Sequence, residues 1–296
     1  MKKFVIIILN YNNYSETIDC VENLLCKNVN NPIIIVDNYS SNGSYEILYK
    51  YYETMSDVYV IKSDKNGGYA YGNNFGIRYA LNVFPKVKYF VIQNPDIRII
   101  SKDIFYHFIN ILESDEKVKV VGAINILNGR IAYEYSGWNL PTKFDVFKSL
   151  VKGNVQPRLN LTSETYFTSY VDVVHGCFFM VNIDFLQNGE LFDEGTFLYN
   201  EENILALKLK SLGYKEVLSL RDFCYHNQAE NNDYRTTRKT LKTLSKSNVY
   251  MLKKYYNLKE YELLIYMMFY FYAHLRLWTR KTARFFWLLL KHGFGA

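Results

Sequence analysis

Tyr89-Phe-Val-Ile-Gln-Asn-Pro-Asp96 decides the reading of this chain. Five residues of strand-forming character, too few for a helix, run into an Asn-Pro pair that ends regular structure. A buried strand that stops on a lone carboxylate sets that carboxylate at the edge where open α/β sheets bind ligands. Short apolar runs of the same kind occur at residues 4–9, 33–36 and 58–61. Between them apolar residues recur at helical spacing, over 16–25 after a Ser15 cap, 45–52 after Ser44, 71–83, and 104–112 after Ser101. The alternation predicts an α/β fold whose mainly parallel sheet has right-handed crossovers and flanking helices.

The connections after the first three runs, residues 10–13, 37–43 and 64–68, are polar and turn-rich, and all fall on one edge of such a sheet. Asn10 and Tyr11 open the first. Asp37 begins the second, where a carboxylate can accept hydrogen bonds from a base or ribose. Asn66, Gly67 and Gly68, with Asn73 and Asn74 following, lead into a helix whose free N–H groups favour phosphate. Beyond Asn94, Asp96 is the metal candidate, because Mg²⁺ or Mn²⁺ is held by one or two carboxylates plus substrate phosphate oxygens. Glu201 and Glu202 begin a helical segment, residues 201–212, after an unusually apolar approach, Phe197-Leu-Tyr199; a carboxylate there can act as general base on a sugar hydroxyl. A first-turn acid also suits the helix dipole without any catalytic role. His226 after Phe223-Cys-Tyr225 and His175 before Gly176 are the remaining candidates, each equally readable as a packed core imidazole. The pattern weakens between residues 125 and 172, then strand character resumes at 171–174 and 177–181.

Composition sets the frame. With 296 residues, 49% of them hydrophobic, the chain can bury a large core and is too apolar to be disordered. Its four cysteines show neither a CxxC pair nor zinc-like spacing, which argues for reduced, structural thiols. Only six apolar residues follow Met-Lys-Lys, too few for a signal-peptide core, so a cytoplasmic protein is expected. A net charge of +6 is too modest by itself to indicate nucleic acid. Cations instead gather in residues 235–254 and 276–291, the second group interleaved with aromatics.

In their order and spacing these elements resemble family 2 glycosyltransferases of the GT-A fold, nearest to a bacterial rhamnosyltransferase-like branch. The matching residues are Val5-Ile-Ile-Ile-Leu-Asn-Tyr-Asn12, Ile35-Val-Asp-Asn-Tyr-Ser-Ser41, the run from Asn66 to Gly76, Asn94-Pro-Asp96, Phe192-Asp-Glu194, Phe197-Leu-Tyr-Asn-Glu-Glu202, Gly213-Tyr214 and His226. They cover about residues 3–250. The resemblance implies that Asn10, Tyr11, Asp37, Asn66, Gly67, Asn74 and Asn94 line the nucleotide-sugar site. It implies further that Asp96 and His226 approach a divalent metal, Mn²⁺ or Mg²⁺, on the diphosphate, and that Glu202, with Glu201 beside it, supplies the base for transfer with inversion. Asn94-Pro-Asp96 stands where the family commonly has Asp-x-Asp, and Glu201-Glu202 where it commonly has Glu-Asp. The expected activity is hexosyl transfer, rhamnose by the branch, onto a glycan or lipid-linked glycan in capsule or other surface polysaccharide synthesis. A silent nucleotide-sugar-binding or scaffold module is the alternative.

The expected domains are a transferase domain over 1–234, with a nucleotide half to 124 and an acceptor half after it, and a helical region over 235–296. Residues 263–273 are apolar for only about half of the ~20 residues a bilayer span requires. The helical region therefore reads as peripheral to the inner face of an anionic membrane, or as an oligomer contact.

Overall fold

In the run Val5–Ile8 every residue is fully buried, and successive side chains enter opposite cores: Ile6 and Ile8 join one apolar cluster, Val5 and Ile7 the other. A strand apolar on both faces needs cover on both faces, and the helices supply it. The computed structural model describes residues 4–152, 163–165, 167–186, 189–227 and 238–293, with backbone alone for residue 152 and for 163–165 and 280–293.

The strands are β1 (Phe4–Asn10), β2 (Ile33–Asp37), β3 (Val58–Lys62), β4 (Tyr89–Gln93), β5 (Ile97–Ile99), β6 (Val118–Leu127), β7 (Arg130–Ile131), β8 (Gly137–Trp138), β9 (Ser163–Thr165), β10 (Thr168–Val171), β11 (Val173–Val174), β12 (Phe178–Asn182) and β13 (Lys215–His226). The helices are α1 (Tyr14–Cys26), α2 (Ser44–Tyr52), α3 (Gly68–Val83), α4 (Asp103–Ser114), α5 (Lys143–Lys152), α6 (Glu201–Ser211), α7 (Arg238–Tyr255) and α8 (Glu260–Gly293).

The main sheet runs β3-β2-β1-β4-β12-β6-β13-β10-β9, with β5 paired to β13 and β7 to β6. Strands β3, β2, β1 and β4 are mutually parallel, so Asn10, Asp37 and Gln93 all end at one edge. Strand β12 lies antiparallel between β4 and β6 and starts at that same edge, with Phe178 opposite Gln93. Strand β13 is parallel to β6 and finishes there too, with His226 opposite Ile97 of β5. Segments far apart in sequence thus deliver Asp96, His175 and His226 to one rim. The architecture is the mixed, mainly parallel α/β arrangement expected.

Local starts differ from the sequence pattern. Helix α1 begins at Tyr14 with Asn13 as its N-cap, so Ser15 lies inside the first turn. Helix α3 begins at Gly68, three residues before the predicted start, because Gly68 adopts φ +88° and turns the chain directly into the helix. Strands β6 and β13 and helix α5 escaped the periodicity reading. Their residues are Val-Lys and Glu-Val mixtures, or a ten-residue helix inside the weakly patterned stretch.

The chain divides into two units. The first holds the sheet and α1–α4 and α6; the second comprises α5, α7 and α8. In the second, Phe147 meets Tyr266 edge-on, Lys143 pairs with Glu262 at 2.7 Å, and the Arg276 guanidinium donates to the Val151 carbonyl at 2.5 Å. Met251, Leu252 and Tyr266 are fully buried in it, and Val146, Phe147 and Ala273 nearly so. No described helix is long and apolar enough to cross a membrane.

Candidate active site

At the rim end of β1 and β2, Asn10 and Asp37 are fully buried and joined by a 2.7 Å bond from the Asn10 amide to the Asp37 carboxylate. The other Asp37 oxygen accepts from the Ser40 N–H, and the Asn10 carbonyl oxygen accepts from Thr17 Oγ1 and the Asn13 N–H. This pair braces the 38–41 loop against the start of α1 and leaves Tyr11 half exposed beside it. Asn38 carries the brace onward by donating to Asn66 Oδ1 and the Gly68 carbonyl. Gly67 packs so tightly on Tyr71 that a Cβ there would meet its ring at 2.3 Å.

A second group lies where β4 runs out. Asn94 is held by its backbone, its N–H donating to the Cys177 carbonyl. Arg98 clamps the turn by donating to the Pro95 carbonyl at 2.6 Å. Asp96 Oδ2 is 3.1 Å from His226 Nε2, while Asp96 Oδ1 is buried with no hydrogen-bond partner among the described residues. Burial alone would lower the His226 pKa, but the Cys177 sulfur and the Asp96 carboxylate raise it above its ordinary value. The carboxylate is the operative cause, since burial pushes the Cys177 thiol up to about 11 and leaves it neutral at pH 7. His175 meets His226 ring to ring at 5.5 Å, and burial followed by that neighbour lowers it to about 3. A neutral His175 can accept the Cys177 N–H on Nδ1, as it does at 3.1 Å. Ligand atoms of His175, Cys177 and His226 all lie within 4.8 Å of one another, a gathering that the distance of His226 from the other two in sequence conceals.

Glu201 and Glu202 open α6 against this group. Glu201 is buried; burial and then the Glu202 charge push it up to about 8, opposed by hydrogen bonds from Thr196 and from its own N–H and that of Tyr199. One Glu201 oxygen, Oε1, has no partner among the described residues. Glu202 is only half-buried and lies over Gly176, whose N–H it accepts; burial raises its pKa as well. A Cβ on Gly176 would come within 2.7 Å of the Glu202 side chain, so this contact requires glycine. Tyr69 donates to the Gly176 carbonyl at 2.6 Å, and its own ionisation is suppressed by burial and by Glu202, Cys177, Glu201 and Asp96. One tyrosine therefore senses both the β4 carboxylate and the α6 carboxylates.

Asn74 does not join this group. Its amide donates to the Phe192 carbonyl and to Glu194, and its carbonyl oxygen accepts the Leu191 and Phe192 N–H groups, so it is an anchor for the loop before α6. Tyr69, Arg98, Cys177 and Trp138, which donates to Asn203 of α6 at 2.9 Å, were not singled out in the sequence. The only traces were the position of Tyr69 just past a Gly-Gly pair and the His175-x-Cys177 spacing.

The family model described as Glycosyl transferase family 2 matches residues 5–178, more than half of the chain. The chain belongs to glycosyl transferase family 2. As a family 2 glycosyltransferase it shares its fold with a mannosyltransferase, PcManGT from Pyrobaculum calidifontis, solved with GDP-Man and Mn²⁺. The two are 14% identical with a TM-score of 0.57, over 86% of this chain and 65% of the other. GalNAc-T7, solved with UDP, GalNAc and Mn²⁺, is 13% identical with a TM-score of 0.58, over 86% and 48% respectively. The chain thus spans about half to two thirds of the length of these structures. No curated protein matches it by sequence.

Proposed function

We propose that this family 2 glycosyltransferase transfers a hexosyl group, with inversion, from a nucleoside-diphosphate sugar to a hydroxyl of a glycan acceptor. The carrying observation is the convergence at one sheet edge of the Asp96–His226 pair, with a buried carboxylate oxygen lacking a partner, and of Glu202 across Gly176. Both structural neighbours hold Mn²⁺ with a nucleotide or nucleotide sugar.

The donor set fits a divalent cation. Asp96 brings a carboxylate whose buried Oδ1 finds no partner among the described residues, and His226 brings an imidazole beside it, a donor set that divalent cations accept. Asp96 and His226 would hold the ion, which when bound offsets the charge growing on the departing diphosphate. The braced Asn10–Asp37 pair, Tyr11, Asn66, Gly67 and Asn94 form the nucleotide side. Glu202 takes the proton of the attacking hydroxyl, and the acceptor oxygen displaces the nucleoside diphosphate from the opposite face of the anomeric carbon. Glu202 is preferred to Glu201 because it is the more exposed, whereas Glu201 is enclosed by Thr196 and Tyr199. The sequence resemblance favours rhamnose as the sugar and a surface polysaccharide as the product.

A panel of nucleotide sugars with Mn²⁺ or Mg²⁺ tests this by release of nucleoside diphosphate and by the anomeric configuration of the product. Asp96→Ala and Glu202→Gln should each cut transfer by about 100-fold or more. Full rates in both variants, or calorimetric donor binding without turnover on any acceptor, would overturn the reading.

A further inference from the structure

The second unit is charged out of proportion to the chain. Residues 238–296 carry twelve Lys and Arg against two Glu, a net +10, although the whole chain is only +6; the remainder is therefore net negative. One of those two acids, Glu262, is already paired with Lys143. On α7, Arg238, Lys239, Lys242, Lys246, Lys253 and Lys254 are all exposed.

Helix α8 adds a second, independent feature. Tyr261, Leu264, Met268, Phe271, Leu275 and Trp278 recur at steps of three and four residues, which is one helical face. All are exposed, Leu264, Met268 and Phe271 to about 70%. Ile265, Met267 and Tyr272 widen that face and are exposed as well. No Lys, Arg, Asp or Glu lies on it between Tyr261 and Trp278, and beyond Glu262 the helix is free of acids while carrying Arg276, Arg280, Lys281, Arg284 and Lys291. Folded proteins seldom leave a contiguous apolar surface of this kind uncovered.

We propose that α7 and α8 dock the protein on an anionic phospholipid surface, with the Tyr261–Trp278 face entering the interfacial region and the cations meeting lipid phosphates. Three occupants compete for such a face. A second copy would bring another +10 unit against the first, so charge opposes self-association. Nucleic acid would use the cations but leave the apolar face wet. An anionic bilayer satisfies both, since apolar insertion and attraction to headgroups add. No described helix is long and apolar enough to cross a membrane, and the docking proposed is peripheral. The inference is separate from the transfer reaction, because it rests on residues outside the catalytic group.

Flotation of the full-length protein with phosphatidylcholine vesicles, and with vesicles in which about a quarter of the lipid is phosphatidylglycerol, tests it. Each cation near an anionic surface is worth about fivefold in binding, so anionic vesicles should be bound at least about tenfold better and released by salt. Leu264→Glu/Met268→Glu/Phe271→Glu changes only exposed positions. It should lose vesicle binding while retaining its circular dichroism and its transfer rate on a soluble acceptor. Equal binding to both vesicles, binding untouched by the triple substitution, or a dimer by light scattering that the same substitution splits would each overturn it. So would RNA binding without vesicle binding.

Discussion

Glu202 and Tyr69 meet at Gly176 from its two sides. Gly176 offers its N–H, in the peptide with His175, to the carboxylate and its C=O, in the peptide with Cys177, to the phenol, so the backbone at Gly176 sets where the base points. Glu202→Gln keeps the hydrogen bond but removes the proton acceptor. It should lower kcat by about 100-fold or more with donor affinity unchanged, checked by steady-state kinetics beside calorimetry. Tyr69→Phe leaves the Gly176 carbonyl without its donor. A fall in kcat of about tenfold at constant donor KM is expected if it acts by positioning. Gly176→Ala forces a methyl against the Glu202 side chain, and even this smallest substitution should damage turnover more than Tyr69→Phe does.

Among elements, the loop from Leu191 to Asn200 is secured to α3 as well as to α6, its neighbour in sequence, where Lys208 donates to the Leu191 carbonyl at 3.0 Å. Asn74 engages it at four points, and Gly68 lets the Tyr69 N–H reach the Phe197 carbonyl at 2.9 Å. Asn74→Ala strands two buried N–H groups and should cost about 2–4 kcal/mol, read from denaturant unfolding. Gly68→Ala combines a left-handed φ with a Cβ at 2.0 Å from the Phe197 carbonyl oxygen and should cost at least as much. These ties explain what the sequence could and could not disclose. Parallel strands with two buried faces are continuous apolar runs, so β1, β2 and β4 are legible directly. Strands β6 and β13 are interrupted by lysines, glutamate or aspartate that find partners only in the fold, such as Lys119 with Asp184 and Glu216 with the Val174 N–H. Asp96 and His226 stand out because strands ending on such residues are chemically conspicuous. Asn74 resembled a phosphate ligand because an amide near a helix start is the same sequence whether it faces a ligand or a loop. Strand character at 171–174 and 177–181 is legible, but the parts played by Trp138 and Cys177 are not, because their partners, Asn203 and Asn94, are remote in sequence.

Across the whole molecule, buried acids and imidazoles set a pH response. Glu201 has its ordinary value of 4.5 when unfolded and about 8 when folded, and His226 is likewise raised. Between those values the folded state holds more protons, so stability falls as pH rises. His175, lowered from 6.5 to about 3, works the other way but only below pH 6.5, since above that it is neutral in both states. Metal-free protein should therefore lose Tm steadily from pH 6.5 to 8, by calorimetry, and Glu201→Gln should flatten part of that decline. Excess Mn²⁺ should offset the decline, since a cation favours the deprotonated pair. A different consequence follows from the anchoring of the pre-α6 loop to α3. Anyone wishing to retarget acceptor choice by grafting residues 191–200 from a relative will obtain a misfit chimera unless the graft carries its cognate α3 with it; the two have to be exchanged as a single cassette.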